Sequence, residues 1–203
     1  MSPAARVGGD DILRLFLALR LPGDAVEMLA AWAAESLTAA SPGDGRVVPR
    51  DHLHVTLAFL GRRPARELPA IVGELRAAAA ESTAHPLVPV RYRETRSVGM
   101  IVLEDASGAA TRLAADLHGR LERLGVYRRE AREWLPHVTV LRFRQRPRLR
   151  PALTGLAPLV PSDAAAFLSR LHPAGARYEV LEAVPLTGRR PSPESPVGME
   201  RMR

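Results

Sequence analysis

The sequence predicts an α+β fold of two pseudo-symmetric lobes, each an antiparallel sheet with helices on its outer face, and an active-site cleft between the sheets. Three observations predict it. Strand-like and helix-like segments alternate along the 203 residues. The order strand, helix, strand occurs twice. In each half the last strand of that series carries the same pattern, His-x-Thr-x, at His54-Val55-Thr56-Leu57 and again 83 residues on at His137-Val138-Thr139-Val140. Beyond this motif the halves share no sequence repeat, so the symmetry rests on element order. A single bilobal domain is expected over 11–187, with a flexible N-terminus at 1–10 and a polar, Pro-rich, disordered tail at 188–203.

The apolar run 12–20 reads as the first strand, and Pro22-Gly23 turns the chain. Asp24, with Glu27 three residues on, forms a capping-box pattern. Val26, Leu29, Ala30, Ala33 and Leu37 then make the apolar stripe of a helix ending near Ala39. After the loop 41–45, residues 46–49 suit a short edge strand. The first motif strand is expected from His52 to Leu60, stopping at Gly61. Its odd positions Leu53, Val55, Leu57 and Phe59 form an apolar face, and its even positions are His52, His54, Thr56 and Ala58. A helix follows near 66–80. Strands are expected near 87–94 and 98–103. A helix then starts at Ser107 or Gly108, with Leu113, Leu117, Leu121 and Leu124 as its stripe and Gly125 at C′. The second motif strand spans about 134–143. Residues 144–161 connect it to strands near 165–171 and 176–184, which flank the turn Pro173-Ala174-Gly175.

Composition narrows the function. There is no cysteine, which excludes a disulfide framework, a thiolate nucleophile and cysteine-based zinc sites, and fits the cytoplasm. No run approaches the roughly 18 apolar residues of a membrane span, and no secretory signal is apparent. The formal charge is +7, and all 29 basic residues are arginines. A phosphate or nucleic-acid ligand, which arginine binds bidentately, accounts for this; so does a GC-rich coding bias that favours Arg, Ala, Pro and Gly together.

Side chains two apart on a strand share a face, so His54 and Thr56 point one way, as do His137 and Thr139. Two imidazoles on one cleft suit concerted acid–base catalysis, since near their ordinary pKa of ~6.5 one is neutral while the other carries a proton. Displacement at phosphorus uses both states. The neutral ring takes a proton from water, the charged ring gives one to the departing oxygen, and acid and base approach from opposite sides. The threonine hydroxyls suit the non-bridging oxygens. This chemistry needs no metal. A metal site is the rival reading, because His52 and His54 form a ligand pair; the second half offers only His137. His52 reads better as a rim residue, and His85, His118 and His172 receive no role.

These motifs resemble those of the 2H phosphoesterases. More closely, the chain is similar to the bacterial and archaeal RNA 2′,3′-cyclic phosphodiesterases, also called 2′-5′ RNA ligases. Arg14-Leu15-Phe16-Leu17-Ala18-Leu19 with Leu21-Pro22, the run Leu53 to Gly61, Pro136 to Val140 with Arg142, and Gly175 to Leu181 carry the resemblance. Two departures are modest: Leu141 stands where a smaller residue is frequent, and the tail is long. The resemblance implies that His54 is the proton donor to the leaving 3′-oxygen and His137 the proton acceptor that activates water, giving a 2′-phosphate. It implies that Thr56, Thr139 and Arg142 bind the substrate phosphate, that no cofactor is needed, and that 2′-5′ ligation is the same displacement with a 5′-hydroxyl in place of water. The implied partner is an RNA with a 2′,3′-cyclic phosphate end, tRNA-derived ends included, acted on by a monomer away from membranes. Strict alternation puts Arg142 on the face opposite His137, so a bulge or the strand end must intervene. Two other functions fit the same motifs. One is a phosphodiesterase of small cyclic nucleotides or ADP-ribose cyclic phosphate. The other is a catalytically silent nucleotide- or RNA-binding module.

Overall fold

In the computed structural model, which describes residues 11–37, 45–172 and 175–187, every strand pairing is antiparallel. In chain order the elements are β1 (Ile12–Arg20), α1 (Gly23–Leu37), β2 (Arg46–Val47), β3 (His54–Pro64), α2 (Leu68–Ala80), β4 (Val88–Glu94), β5 (Val98–Glu104), α3 (Ala109–Arg123), β6 (His137–Arg142), β7 (Asp163–His172) and β8 (Gly175–Pro185). Single 3₁₀ turns at Arg50–His52 and Ala65–Glu67 bracket β3. The expected N-terminal segment, the tail and the turn residues Pro173 and Ala174 lie outside the described residues. No helix among the described residues is long and apolar enough to cross a membrane.

The α+β class and the antiparallel halves are as expected. The two halves join into one sheet, ordered β4-β5-β6-β3-β1-β7-β8, with β2 beside β6. The join is a single register pair, Val55 with Val138, the residue between His and Thr in each motif. Each motif strand would otherwise be the edge of its half, with unpaired backbone groups. β2 completes the same edge of β6. Arg46 and Val47 pair with Arg142 and Leu141, and the Val48 amide donates to the Val140 carbonyl at 2.9 Å.

Alternation along β1 separates the two faces. Leu13, Leu15, Leu17 and Leu19 pack in one core with Leu29 and Leu37 of α1, Ile71 and Leu75 of α2, and Leu113, Leu117 and Leu121 of α3. All three helices therefore cover one face. Leu17 is fully buried there, and its replacement by alanine is expected to cost about 2–5 kcal/mol. Among the described residues the other face keeps only a small cluster of Phe16, Ala18, Ala165 and Phe167. That uncovered face carries the polar motif residues.

Several local expectations change in the tertiary setting. β3 starts at His54, with His52 in the preceding 3₁₀ turn, and runs past Gly61 because β1 continues to pair with it as far as Ile12 opposite Pro64. Two bulges in β3, at Leu57 and Leu60, absorb the expected stop, with Gly61 at φ 69°. The Leu57 bulge reverses the alternation, so Ala58 and Leu60 are buried while Phe59 is 49% exposed. The capping box of α1 does not form. The helix starts at Gly23, the Asp24 carboxylate accepts from the Ala25 amide at 2.8 Å, and Glu27 pairs instead with Arg50. At the start of α3 the Asp105 carboxylate accepts from the Thr111 amide and hydroxyl at 2.8 and 2.9 Å; these hydrogen bonds outweigh its burial and lower its pKa. Gly125 (φ 73°) ends this helix region as expected. The 144–161 connection is anchored on Glu94, whose carboxylate accepts from the Arg148 and Leu149 amides at 2.9 and 2.7 Å.

Candidate active site

The seam between the halves places both motifs side by side. With Val55 opposite Val138, the antiparallel register sets His54 across from Thr139 and Thr56 across from His137. All four side chains are partly exposed while the two valines are fully buried, so the four share the uncovered face. Arg142 joins them through a bulge. The register between β5 and β6 jumps from Gly99–Leu141 to Met100–Thr139, leaving Val140 as the extra residue. Val140 and Leu141 are then both buried, and Arg142 turns back to the open side.

The two histidines are held alike. The Nδ1–H of His54 donates to the carbonyl of His52 at 2.7 Å, and that of His137 to the carbonyl of Leu135 at 2.8 Å. Each ring is tied to the residue two before it, which fixes Nδ1 as the protonated nitrogen of the neutral form and leaves Nε2 for chemistry. Nε2 of His54 accepts from the Thr56 hydroxyl at 3.1 Å.

Their surroundings differ. The His54 ring lies 4.9 Å from Phe16, 5.7 Å from Tyr178 and 5.9 Å from Phe167, centroid to centroid. Burial lowers its pKa from 6.5 to about 4; the His52 carbonyl opposes that shift, and the charges of His52, Arg142 and His137 reinforce it. His52 itself packs on Tyr178 at 4.2 Å, consistent with a rim position. Among the described residues, no group of three or more His, Cys, Asp or Glu side chains is placed to hold a metal ion.

Past the seam β3 leaves β6, and side chains take over the backbone bonds. Trp134 Nε1–H donates to the Thr56 carbonyl at 2.9 Å, and His118 Nε2–H donates to the Leu57 carbonyl at 2.8 Å. Neither residue stands out in the sequence, since their acceptors are 78 and 61 residues away. The divergence opens a cavity of about 790 Å³, bordered by Thr56, Phe59, Arg93, Met100, Tyr127, Trp134 and His137. Phe59, expected in the apolar face of its strand, instead stands at this cavity under the Arg14 guanidinium, 4.7 Å from its ring centroid. Arg14 in turn donates to the buried Ser169 hydroxyl at 2.7 Å. Of the histidines given no role, His118 has this structural one, and His85 lies elsewhere, bonded to Thr83 at 2.9 Å.

An antiparallel sheet whose two halves each bring a His-x-Thr pair to one seam defines the two-histidine, or 2H, phosphoesterase class. Residues 25–179 match the 2′-5′ RNA ligase superfamily, and the chain belongs to that family. It is 34% identical over 194 residues to an RNA 2′,3′-cyclic phosphodiesterase of Thermus thermophilus, covering 87% of this chain and 91% of the relative. It is 32% identical over 132 residues to an RNA 2′,3′-cyclic phosphodiesterase of Escherichia coli, covering 64% and 71%. In structure it is similar to a protein of Thermus thermophilus (TM-score 0.75, 28% identity, 88% of this chain and 100% of that one). It is also similar to E. coli LigT in complex with 3′-AMP (TM-score 0.71, 25% identity, 87% and 99%).

Proposed function

We propose that the chain hydrolyses RNA 2′,3′-cyclic phosphate ends, tRNA-derived ends among them, to 2′-phosphates by metal-independent two-histidine acid–base catalysis. What carries the reading is the seam, where two His-x-Thr pairs face one space with both Nδ1 atoms committed to carbonyls. Nε2 of His137 takes a proton from water, whose oxygen attacks phosphorus. The bond from phosphorus to O3′ breaks, and His54 Nε2–H gives its proton to that oxygen. Thr56, Thr139 and Arg142 hold the non-bridging oxygens as charge builds on them. The cavity at Phe59 and Trp134 accommodates the adjoining nucleoside.

Before substrate binds, His54 is neutral at pH 7, because burial holds its pKa near 4. The acid role therefore requires the substrate's own negative charge, which favours the protonated ring once bound. With a 5′-hydroxyl in place of water, the same steps join RNA ends through a 2′-5′ linkage, and in reverse they cleave it. The strained cyclic diester supplies the driving force, so the proposal includes no cofactor. A monomer acting in the cytoplasm completes it. The test is product analysis, in EDTA, on an oligonucleotide ending in a 2′,3′-cyclic phosphate. A 2′-phosphate product is expected. A 3′-phosphate product, or activity abolished by the chelator, overturns the mechanism.

A further inference from the structure

One charged residue of the open face, Arg46, has no part in this chemistry. β2 pairs with β6 so that Arg46 stands directly opposite Arg142. Residues opposed in an antiparallel pair point to the same side, with Cβ atoms about 5 Å apart. Two arginine side chains thus leave the sheet side by side, and like charges opposed in this way repel. Both side chains are exposed, and neither forms an ion pair with a described acidic residue. Nearby arginines differ: Arg50 pairs with Glu27 and Arg20 with Asp163 at 3.5 Å. The pair is nonetheless fixed in register. Val47 opposes Leu141, Val48 is 7% exposed and its amide is bonded to Val140, so the backbone under Arg46 cannot drift from β6.

Two arginines rooted side by side in one strand pair, neither with an acidic partner among the described residues, suit anionic groups. The cyclic phosphate belongs between His54 and His137. The Arg46–Arg142 pair lies further along β6, about two to three strand rises beyond Thr139, or about 7–10 Å. That spacing suits a separate phosphate one nucleotide away. We propose that Arg46 holds the phosphodiester adjoining the cyclic end, with Arg142 reaching back from beside it to the cyclic phosphate, so that the site is built for oligonucleotide rather than mononucleotide termini. This inference rests on the proposed reaction and specifies its substrate.

The experiment compares a dinucleotide bearing a 2′,3′-cyclic phosphate with the mononucleoside 2′,3′-cyclic phosphate, using wild type, Arg46→Ala and Arg46→Lys. Wild type is expected to turn over the dinucleotide with a kcat/KM at least about tenfold higher. Arg46→Ala should remove most of that preference through KM, with mononucleotide turnover within about twofold of wild type. Arg46→Lys should recover part of it, since a lysine keeps the charge without the fork. The Ala variant should also show a weaker salt dependence on the dinucleotide. Equal wild-type efficiency on both substrates overturns the inference, and so does an equal loss on both in Arg46→Ala. If wild type turns over neither, the proposed reaction is at fault. Titration with the dinucleotide and mononucleotide 3′-phosphates then decides the Arg46 site by itself. Tighter dinucleotide binding that Arg46→Ala abolishes supports it, and binding indifferent to Arg46 overturns it.

Discussion

His54 and His137 are held by the same device and placed in different surroundings. Both rings give Nδ1–H to the carbonyl two residues back, at 2.7 and 2.8 Å, and both start a strand at the seam. His54 is walled by Phe16, Phe167 and Tyr178 and bonded to its own threonine; His137 borders an open cavity. The shared device makes Nδ1 the protonated nitrogen of each neutral ring. Burial among the aromatic rings lowers the pKa of His54. A repeated motif thus supplies two copies of one part, and the packing of each half gives the copies different surroundings.

The strongest way to break this comparison is to remove one ring at a time. His54→Ala and His137→Ala should each lower kcat on a 2′,3′-cyclic phosphate end by at least about 10²-fold. The double variant should be little worse than the worse single one, because acid and base act in one step. Multiplying losses in steady-state assays would mean that the rings work independently.

A smaller effect tests how the seam is braced on the β3 side. Trp134→Phe removes the donor to the Thr56 carbonyl while keeping most of the apolar packing. The expected costs are about 1 kcal/mol of stability and a fall in kcat of about three- to tenfold, as Thr56 and its bond to His54 loosen. Thermal melts and steady-state kinetics check the two parts. An unchanged kcat in a destabilised variant would show that Trp134 supports the fold without positioning the site.

Much of this was legible in the chain. The alternation in β1 and around the two motifs predicts which residues turn away from the helices, and His54, Thr56, His137 and Thr139 meet as the pattern requires. Features that depend on a partner strand were not legible. The bulge at Leu57, which moves Phe59 out of the apolar face, exists only in the pairing of β3 with β1. The one at Val140, which returns Arg142 to the open face, exists only against β5. Alternation correctly required such an interruption for Arg142 but could not locate it. Asp24 and Glu27 read as a local cap, yet Arg50 captures Glu27 from 23 positions away. Local periodicity thus places residues on faces, whereas registers and long-range donors decide which of them share the site.

The finest test concerns the proton on His54. With its pKa near 4 in the folded, ligand-free protein and about 6.5 in the unfolded chain, the unfolded state binds the extra proton between those values. Stability from this group is therefore fully present above pH 6.5 and is lost as pH falls toward 4. His54→Asn, which cannot titrate, should lose less thermal stability than wild type between pH 7 and pH 5. The same sign governs the kinetics. In the proposed mechanism the acid must be protonated, so activity falls as pH rises through its pKa. kcat/KM reports the free enzyme and kcat the substrate complex, and the bound anion favours the charged ring. The alkaline limb attributable to His54 should consequently lie at higher pH in kcat than in kcat/KM. NMR titration of the ring with and without adenosine 3′-phosphate measures the shift directly. A midpoint near 6.5 in both states would leave the aromatic wall around His54 a packing feature with no part in the chemistry.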